Sequence, residues 1–198
     1  MARSVARVPA SKVGFLVEGD HDKAFVEAFV PRIVGPDVNI HVIRIGGKAA
    51  LSSTYADAIA LLDQGYERVI VLVDADTTVT EEIEQQRADL ADIYRRYGIE
   101  HATHVCMAVP MLESWLLAAY EDAPERRADP KRTLARAAGT GADRFAELAR
   151  ALPISTVRKR SASFDAFVRE LERVGMARAG RAAEGRPSLR PRPVSGRG

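Results

Sequence analysis

The segment Val69–Asp76 constrains the fold more than any other stretch of the chain. Five apolar residues, four of them β-branched, run directly into acids at positions 74 and 76. Such a run is typical of a strand buried on both faces, as in a parallel sheet. If the backbone stays extended, Asp74 and Asp76 point to the same side. The two carboxylates would then repel each other unless a divalent cation such as Mg²⁺ or Mn²⁺ lies between them. The alternative is that both acids lie in a loop that caps the next helix.

The rest of the first 120 residues alternates between strand-like and helix-like patterns. Apolar runs predict three more strands, at 13–17, 38–45 and 102–109. Apolar residues at helical spacing predict helices over 23–30, 49–62, 81–97 and 111–117. This order predicts an α/β fold with a four-stranded, mostly parallel sheet, right-handed crossovers and helices on its faces. In such sheets the functional crevice lies outside the carboxyl ends of the strands.

Polar residues with chemical potential follow each predicted strand. Glu18 stands at the tip of the first strand, and Asp22 lies in the first turn of the next helix, where the helix dipole by itself favours an acid. After the second strand the backbone amides of Gly46 and Gly47 could cradle a phosphate, with Lys48 as a point charge. The competing interpretation is that these glycines serve turn geometry alone.

Length and composition set the domain organisation. The 198 residues, 46% of them hydrophobic, fit one domain with a tail. We predict an amino-terminal arm over 1–12, the α/β core over 13–120 and a helical extension over 121–176. Helices are expected in that extension at 131–138, 143–152 and 163–174. Residues 177–198, rich in arginine, proline and glycine, are predicted to be a disordered tail.

Several classes of protein are disfavoured. The formal net charge of +2 leaves no uniformly basic coat, although local basic patches remain possible. The single cysteine, Cys106, rules out a disulfide framework and is expected to pack as a small hydrophobe. No apolar run approaches the ~20 residues of a membrane span, and no secretory signal begins the chain. The sequence therefore predicts a cytoplasmic protein without membrane contact.

The motifs together resemble a known family. A Glu-Gly-x-x-Asp motif at 18–22, followed by Asp-x-Asp at 74–76, resembles the Toprim domain of topoisomerases, bacterial primases and OLD-type nucleases. The Gly-Gly turn at 46–47 and the Glu-Ser-Trp-Leu-Leu helix at 113–117 are closest to small stand-alone bacterial Toprim-like proteins (DUF4276). The resemblance covers residues 13–120 and implies a Toprim-like, Rossmann-type core.

The resemblance implies roles for the matching residues. Asp74 and Asp76 would hold Mg²⁺ or Mn²⁺, and Glu18 would be a metal ligand or a general acid–base. Glu113 resembles an additional acid near a second metal site, and Asp22 is a further candidate ligand. OLD-type nucleases use a basic residue beyond the fourth strand, for which Lys159 is the candidate. Its neighbour Arg158 is a candidate phosphate-binding residue, although a solvated loop is the default interpretation of the basic run at 158–160.

Three functions fit these features. The first is a Mg²⁺-dependent nuclease acting on nucleic acid, in genome defence or repair. The second is a non-catalytic metal-binding module whose partner, such as an ATPase, supplies the activity. The third is a haloacid-dehalogenase-type phosphatase, suggested by the sequence at 71–78, although in that family the nucleophilic aspartate normally follows the first strand. Topoisomerase and primase activities are disfavoured because the chain has no domain to present a nucleophilic tyrosine and no zinc-binding cysteines.

Overall fold

The core is one four-stranded sheet in which all strands run parallel. The computed structural model describes residues 11–127 and 129–184, with side chains up to residue 176. The strands are β1 (Lys12–Val17), β2 (Asn39–Arg44), β3 (Arg68–Asp74) and β4 (Thr103–Ala108). Their order in the sheet is β2-β1-β3-β4. The predicted α/β class is confirmed, with a Rossmann-like sheet that is wholly rather than mostly parallel.

Helices cover both faces of this sheet. In chain order the helices of the described part are α1 (Asp20–Phe29), α2 (Pro31–Val34), α3 (Thr54–Asp63), α4 (Thr80–Arg96), α5 (Leu112–Leu117), α6 (Pro130–Ala138), α7 (Ala142–Ala151), α8 (Ile154–Arg160) and α9 (Ala162–Glu184). Two 3₁₀ segments, Lys48–Ser53 and Pro124–Arg126, precede α3 and α6. None of the helices in the described ranges is long and apolar enough to cross a membrane.

Two apolar layers explain why the central strands are apolar at every position. On one face, Phe15, Ile70 and Leu72 pack with residues of α1, α5, α7 and α9. On the other face, Leu16, Val71 and residues of β4 pack with α3 and α4. Alternate residues of β1 and β3 thus enter different layers, and both sets are withdrawn from water.

The helical extension belongs to the first of these layers. Phe164 and Phe167 of α9 are fully buried, and their rings pack against Trp115 of α5 and Phe29 of α1. Helix α7 packs along α1, and α9 packs on β4 and α2. Trp115 is fully buried in this layer, and the helix predicted at 163–174 lies within α9.

The structure departs from several sequence-based expectations. The basic run at 158–160, whose default interpretation was a solvated loop, forms the end of α8, because Val157 is fully buried in the shared core. Helix α9 runs to Glu184 and enters the stretch expected to be disordered, where alanine and arginine favour helix. Lys12, assigned to the amino-terminal arm, begins β1. The rest of that arm, residues 1–10, and the tail from 185 to 198 lie outside the described residues.

Candidate functional site

The strand order places a crevice between β1 and β3. These strands are neighbours at the centre of the sheet, but the connection after β1 leads to β2 on one side and the connection after β3 leads to β4 on the other. The two connecting segments therefore diverge beyond the carboxyl ends of β1 and β3. This is the topological switch point at which parallel α/β sheets bind their ligands.

Glu18 and Asp74 meet at this switch point. The pairing of Val17 with Leu72 sets the residue after β1 beside the end of β3. The Glu18 Oε1 atom accepts a hydrogen bond of 2.8 Å from the backbone N–H of Asp74. Burial raises the pKa of Glu18, although the Asp74 N–H and the charge of Lys48 oppose this shift. The Glu18 side chain thus links the carboxyl ends of β1 and β3 by a hydrogen bond.

Asp74 lies among other carboxylates. Its Oδ1 atom accepts a hydrogen bond of 2.9 Å from the backbone N–H of Leu112, at the start of α5. Burial raises the pKa of Asp74 to about 8, and the negative charges of Asp22, Glu113 and Glu18 add to the effect. A metal-free site at neutral pH therefore favours a proton on this side chain.

Asp22 and Glu113 come from the two helices that begin at this edge. The Asp22 Oδ2 atom accepts a hydrogen bond of 2.8 Å from the backbone N–H of Gly19. Burial raises the pKa of Asp22 to about 6, assisted by the charges of Glu18 and Glu113. Glu113 is only 7% exposed and accepts no hydrogen bond from any residue in the described ranges. We call Glu18, Asp22, Asp74 and Glu113 the carboxylate cluster.

The position of α1, and with it Asp22, is fixed partly by the helical extension. The ring of His21 stacks on Phe145 of α7, with centroids 4.3 Å apart. The N–H to carboxylate bond from Gly19 to Asp22 then closes the turn between β1 and α1. The helix dipole alone could have explained an acid in the first turn of α1. In the structure, however, Asp22 also belongs to the carboxylate cluster.

Asp76 does not lie beside Asp74 as the extended pattern predicted. The strand ends at Asp74, and Asp76 adopts a left-handed backbone conformation with φ of +54°. Its N–H donates to the carbonyl of Pro110 at 2.8 Å, and its half-exposed side chain pairs with Lys48, Nζ to Oδ2, at 2.6 Å. The i, i+2 alignment is therefore wrong because the backbone turns after one strand-end acid.

The glycines after β2 serve a turn that needs them. Gly46 and Gly47 have φ values of +81° and +98°, a region that residues with a Cβ rarely adopt. Lys48 follows as the first residue of a 3₁₀ segment, and its ion pair with Asp76 brings it to the rim of the carboxylate cluster. A phosphate-binding role for this turn stays a prediction.

The basic residues after the fourth strand lie in a different place. Arg158 is held by Asp165 and Glu172, and Lys159 is exposed. Both line an open groove on the far side of β4. The contacts of these two side chains do not include any member of the carboxylate cluster.

The carboxylate cluster has the chemistry of a metal site but not a finished coordination geometry. Its donors are oxygen atoms, which suit Mg²⁺ or Mn²⁺. Glu18 and Asp74 each accept one backbone N–H on one oxygen, and Asp22 accepts backbone N–H groups of the β1–α1 turn. No group of three or more His, Cys, Asp or Glu side chains within the described ranges is arranged to hold a metal ion. The donor set fits, and side-chain movement would be needed to gather it.

Comparison with known proteins finds no matching family model, no matching curated protein and no matching solved structure. Sequence reasoning found all four members of the carboxylate cluster. It missed the Leu112 N–H that orients Asp74, for which Pro110, shortly before α5, was the available signal of a turn.

Proposed function

We propose that this protein is a Mg²⁺- or Mn²⁺-dependent phosphoryl-transfer enzyme, a nuclease that cleaves phosphodiester bonds of nucleic acid. The carboxylate cluster carries the proposal. Four acids surround the switch point, and none of them forms an ion pair with a Lys, Arg or His in the described ranges. A protein that buries carboxylates together without a cation is suited to receive one.

The residues divide the work by position. Asp74 and Glu18 would hold the metal from the strand ends, with Asp22 and Glu113 contributing from the two helix starts. A bound divalent ion supplies electrophilic stabilisation of the phosphoryl oxygens and lowers the pKa of bound water. In the metal-free protein the Asp74 proton belongs on Oδ2, because Oδ1 accepts the Leu112 N–H. Metal binding would release that proton.

Lys48 has the position for a second task. It neutralises Asp76 at the rim of the cluster, at an Nζ to Oδ2 distance of 2.6 Å. Its side chain is more than a third exposed, so that it can turn toward an incoming phosphate at little cost. The amides of the Gly46–Gly47 turn stand directly before it in the chain. The resemblance to Toprim domains supports the same assignment of metal and substrate.

The test compares an acid of the carboxylate cluster with an acid outside it. Purified protein is incubated with single-stranded, double-stranded and supercoiled DNA and with RNA, in Mg²⁺, Mn²⁺ or EDTA. Asp74→Asn keeps the acceptor for Leu112 N–H but removes a ligand charge, and we expect at least about a 100-fold loss of metal-dependent cleavage. Glu147→Gln, which alters an exposed acid on α7 outside the carboxylate cluster, is the control and should retain cleavage.

Other outcomes would reject the nuclease. Hydrolysis of phosphomonoesters without cleavage of any nucleic acid would assign a phosphatase instead. Metal binding that Asp74→Asn abolishes, with no hydrolysis of any substrate, would favour the interaction module that acts with a partner such as an ATPase. Cleavage that is equal in EDTA and Mg²⁺ would remove the metal from the proposal.

A further inference from the structure

An open groove runs along the outer edge of the sheet. Strand β4 is the last strand, and α4 and α9 lie on opposite faces beside it. Between them is a groove of about 1020 Å³, lined by α4, by His104 and Val109 at β4, by the turn at 123–126 and by α8 and α9. We call it the basic groove, and it is separate from the carboxylate cluster.

The charged side chains that line this groove are mostly positive. Seven Lys and Arg side chains line it against three carboxylates. Each of these carboxylates is already engaged: Glu84 pairs with Arg87, Asp165 pairs with Arg158 and Arg169, and Glu125 accepts hydrogen bonds from two serines. Three carboxylates outside the lining also pair with lining arginines, so the positive excess of the groove comes from the cations without such a partner.

Ion pairs hold several of the cations in place. Besides the pairs just described, Arg160 pairs with Asp122 at 2.7 Å, and Arg173 pairs with Glu170 at 2.9 Å. Arginines fixed in this way lose little conformational entropy when an anion arrives. Two others, Arg126 and Lys159, are exposed and make no ion pair within the described chain. They are the cations most available to a ligand.

The groove reaches the edge that carries the carboxylate cluster. Thr78 and Thr80, which line it, follow Asp74 in the same β3–α4 connection. Val109, also in the lining, directly follows β4, and the N–H of Asp76 donates to the carbonyl of the next residue, Pro110, at 2.8 Å. One pair of bonded loops therefore borders both the groove and the cluster.

We propose that the basic groove binds the sugar-phosphate backbone of a nucleic-acid strand and directs it toward the carboxylate cluster. The inference rests on the proposed nuclease function, because it gives that enzyme its substrate track. No Phe, Tyr or Trp lines the groove among the described residues, so stacking on bases is not part of the recognition. The binding is electrostatic, independent of sequence and sensitive to salt.

The chain's own termini do not suit this groove. Residues 1–10 and 185–198 contain no Asp or Glu and carry six arginines, at positions 3, 7, 186, 190, 192 and 197. Like charges disfavour their docking on a basic surface. An acidic peptide from another protein has the right sign but lacks the closely spaced phosphates, and the experiment separates the two.

The experiment measures binding without metal. The full chain is titrated in EDTA against a fluorescein-labelled DNA, as a single strand and as a duplex, at several salt concentrations. Arg126→Ala combined with Lys159→Ala should weaken binding by about tenfold and make the log–log salt dependence shallower by about 2. Lys131→Ala combined with Arg136→Ala is the matched control. It removes two exposed cations of α6 that are outside the groove, and its affinity should equal that of the unaltered protein.

The results distinguish the groove from the active site. Asp74→Asn should bind DNA in EDTA at least as tightly as the unaltered protein while losing cleavage. Groove-dependent binding without cleavage in any metal would reject the nuclease but keep the groove. Absence of DNA binding, or equal losses in the two double variants, would overturn the groove. Displacement of DNA by polyglutamate at the same charge concentration would overturn its preference for phosphodiesters.

Discussion

Two carboxylates in this protein, the buried Glu170 and the partly buried Asp74, differ in what surrounds them. Glu170 of α9 is only 1% exposed, and its oxygens pair with Arg68 and with Arg173, with His104 within 3.8 Å. Asp74 at the end of β3 is surrounded instead by Asp22, Glu113 and Glu18. Burial of an acid is therefore not a functional signal by itself. The signal is burial without a cation from the same chain.

The contrast has an energetic side. The arginines offset the cost of burying the Glu170 charge, and the pairing ties α9 to β3. Asp74 has a single backbone N–H as compensation, and the cost of its ionisation is left in the metal-free fold. Such a cost is typical of functional sites, where stability is lower than the sequence could provide.

The largest effect on stability is expected from breaking the compensated site. Glu170→Ala should lower the free energy of unfolding by about 2–3 kcal/mol, because two arginines lose their buried partner. Urea unfolding at neutral pH measures it. Glu172→Ala on the same helix removes a 42% exposed partner of Arg158, and we expect a loss of at most about 1 kcal/mol. Equal losses in the two variants would contradict a special role for Glu170.

Substitution of Asp74, which has no cationic partner, should raise the free energy of unfolding instead of lowering it. In EDTA at about pH 8, Asp74→Asn should stabilise the protein by about 2 kcal/mol. The folded-state pKa of Asp74 lies above its unfolded value, so the folded state binds more protons. The unaltered protein therefore loses stability as pH rises from about 4 to about 8. The difference from Asp74→Asn should grow over that window, and a difference independent of pH would contradict the assignment.

Asp22 provides a second test of the carboxylate cluster, because its titration should change stability over a narrower pH range than that of Asp74. The Asp22→Asn variant keeps an acceptor for Gly19 N–H, and its advantage in EDTA should be about 1 kcal/mol. The folded-state pKa of about 6 confines the change to between about pH 4 and pH 6, above which the advantage should be constant. Chemical denaturation across this range measures it, and a slope that continues to pH 8 would show that Asp22 and Asp74 titrate as one unit.

The smallest effect concerns the rim of the cluster. Lys48→Ala should change the free energy of unfolding by no more than about 0.5 kcal/mol, since the pair with Asp76 is exposed. Without DNA, it should tighten Mg²⁺ binding by a few-fold, because a competing cation is removed from the cluster. Isothermal titration calorimetry measures the affinity. Weaker Mg²⁺ binding in this variant would mean that Lys48 organises the site and does not compete for it.

The sequence predicted the sheet well because its strands are buried on both faces. An unbroken apolar run such as Val69–Val73 has few other ways to fold, and the acids after it necessarily reach the carboxyl edge. Glu18 was located by the same reasoning. The alternating pattern of β2 also gave its position to within one residue at each end.

The failures have a common physical cause. The left-handed conformation of Asp76 is set by the contact of its N–H with Pro110, which is far along the chain and leaves no local pattern. The basic groove gathers residues from α4, from the turn after α5 and from α8 and α9, so no short motif could predict it. Helix α8 is likewise stabilised by the burial of Val157 in a core that consists mostly of residues from other segments, so its own sequence did not predict it.

The stacking of His21 on Phe145 has a consequence for dissecting this molecule. The first turn of α1, which carries Asp22, packs against α7 through this stacking. Phe29 and Trp115 contact the aromatic rings of α9. A truncation after residue 120 would leave these rings facing water and free the start of α1 from its support. The smallest fragment worth expressing therefore ends beyond Val174, the last buried residue among the α9 side chains that the structure describes.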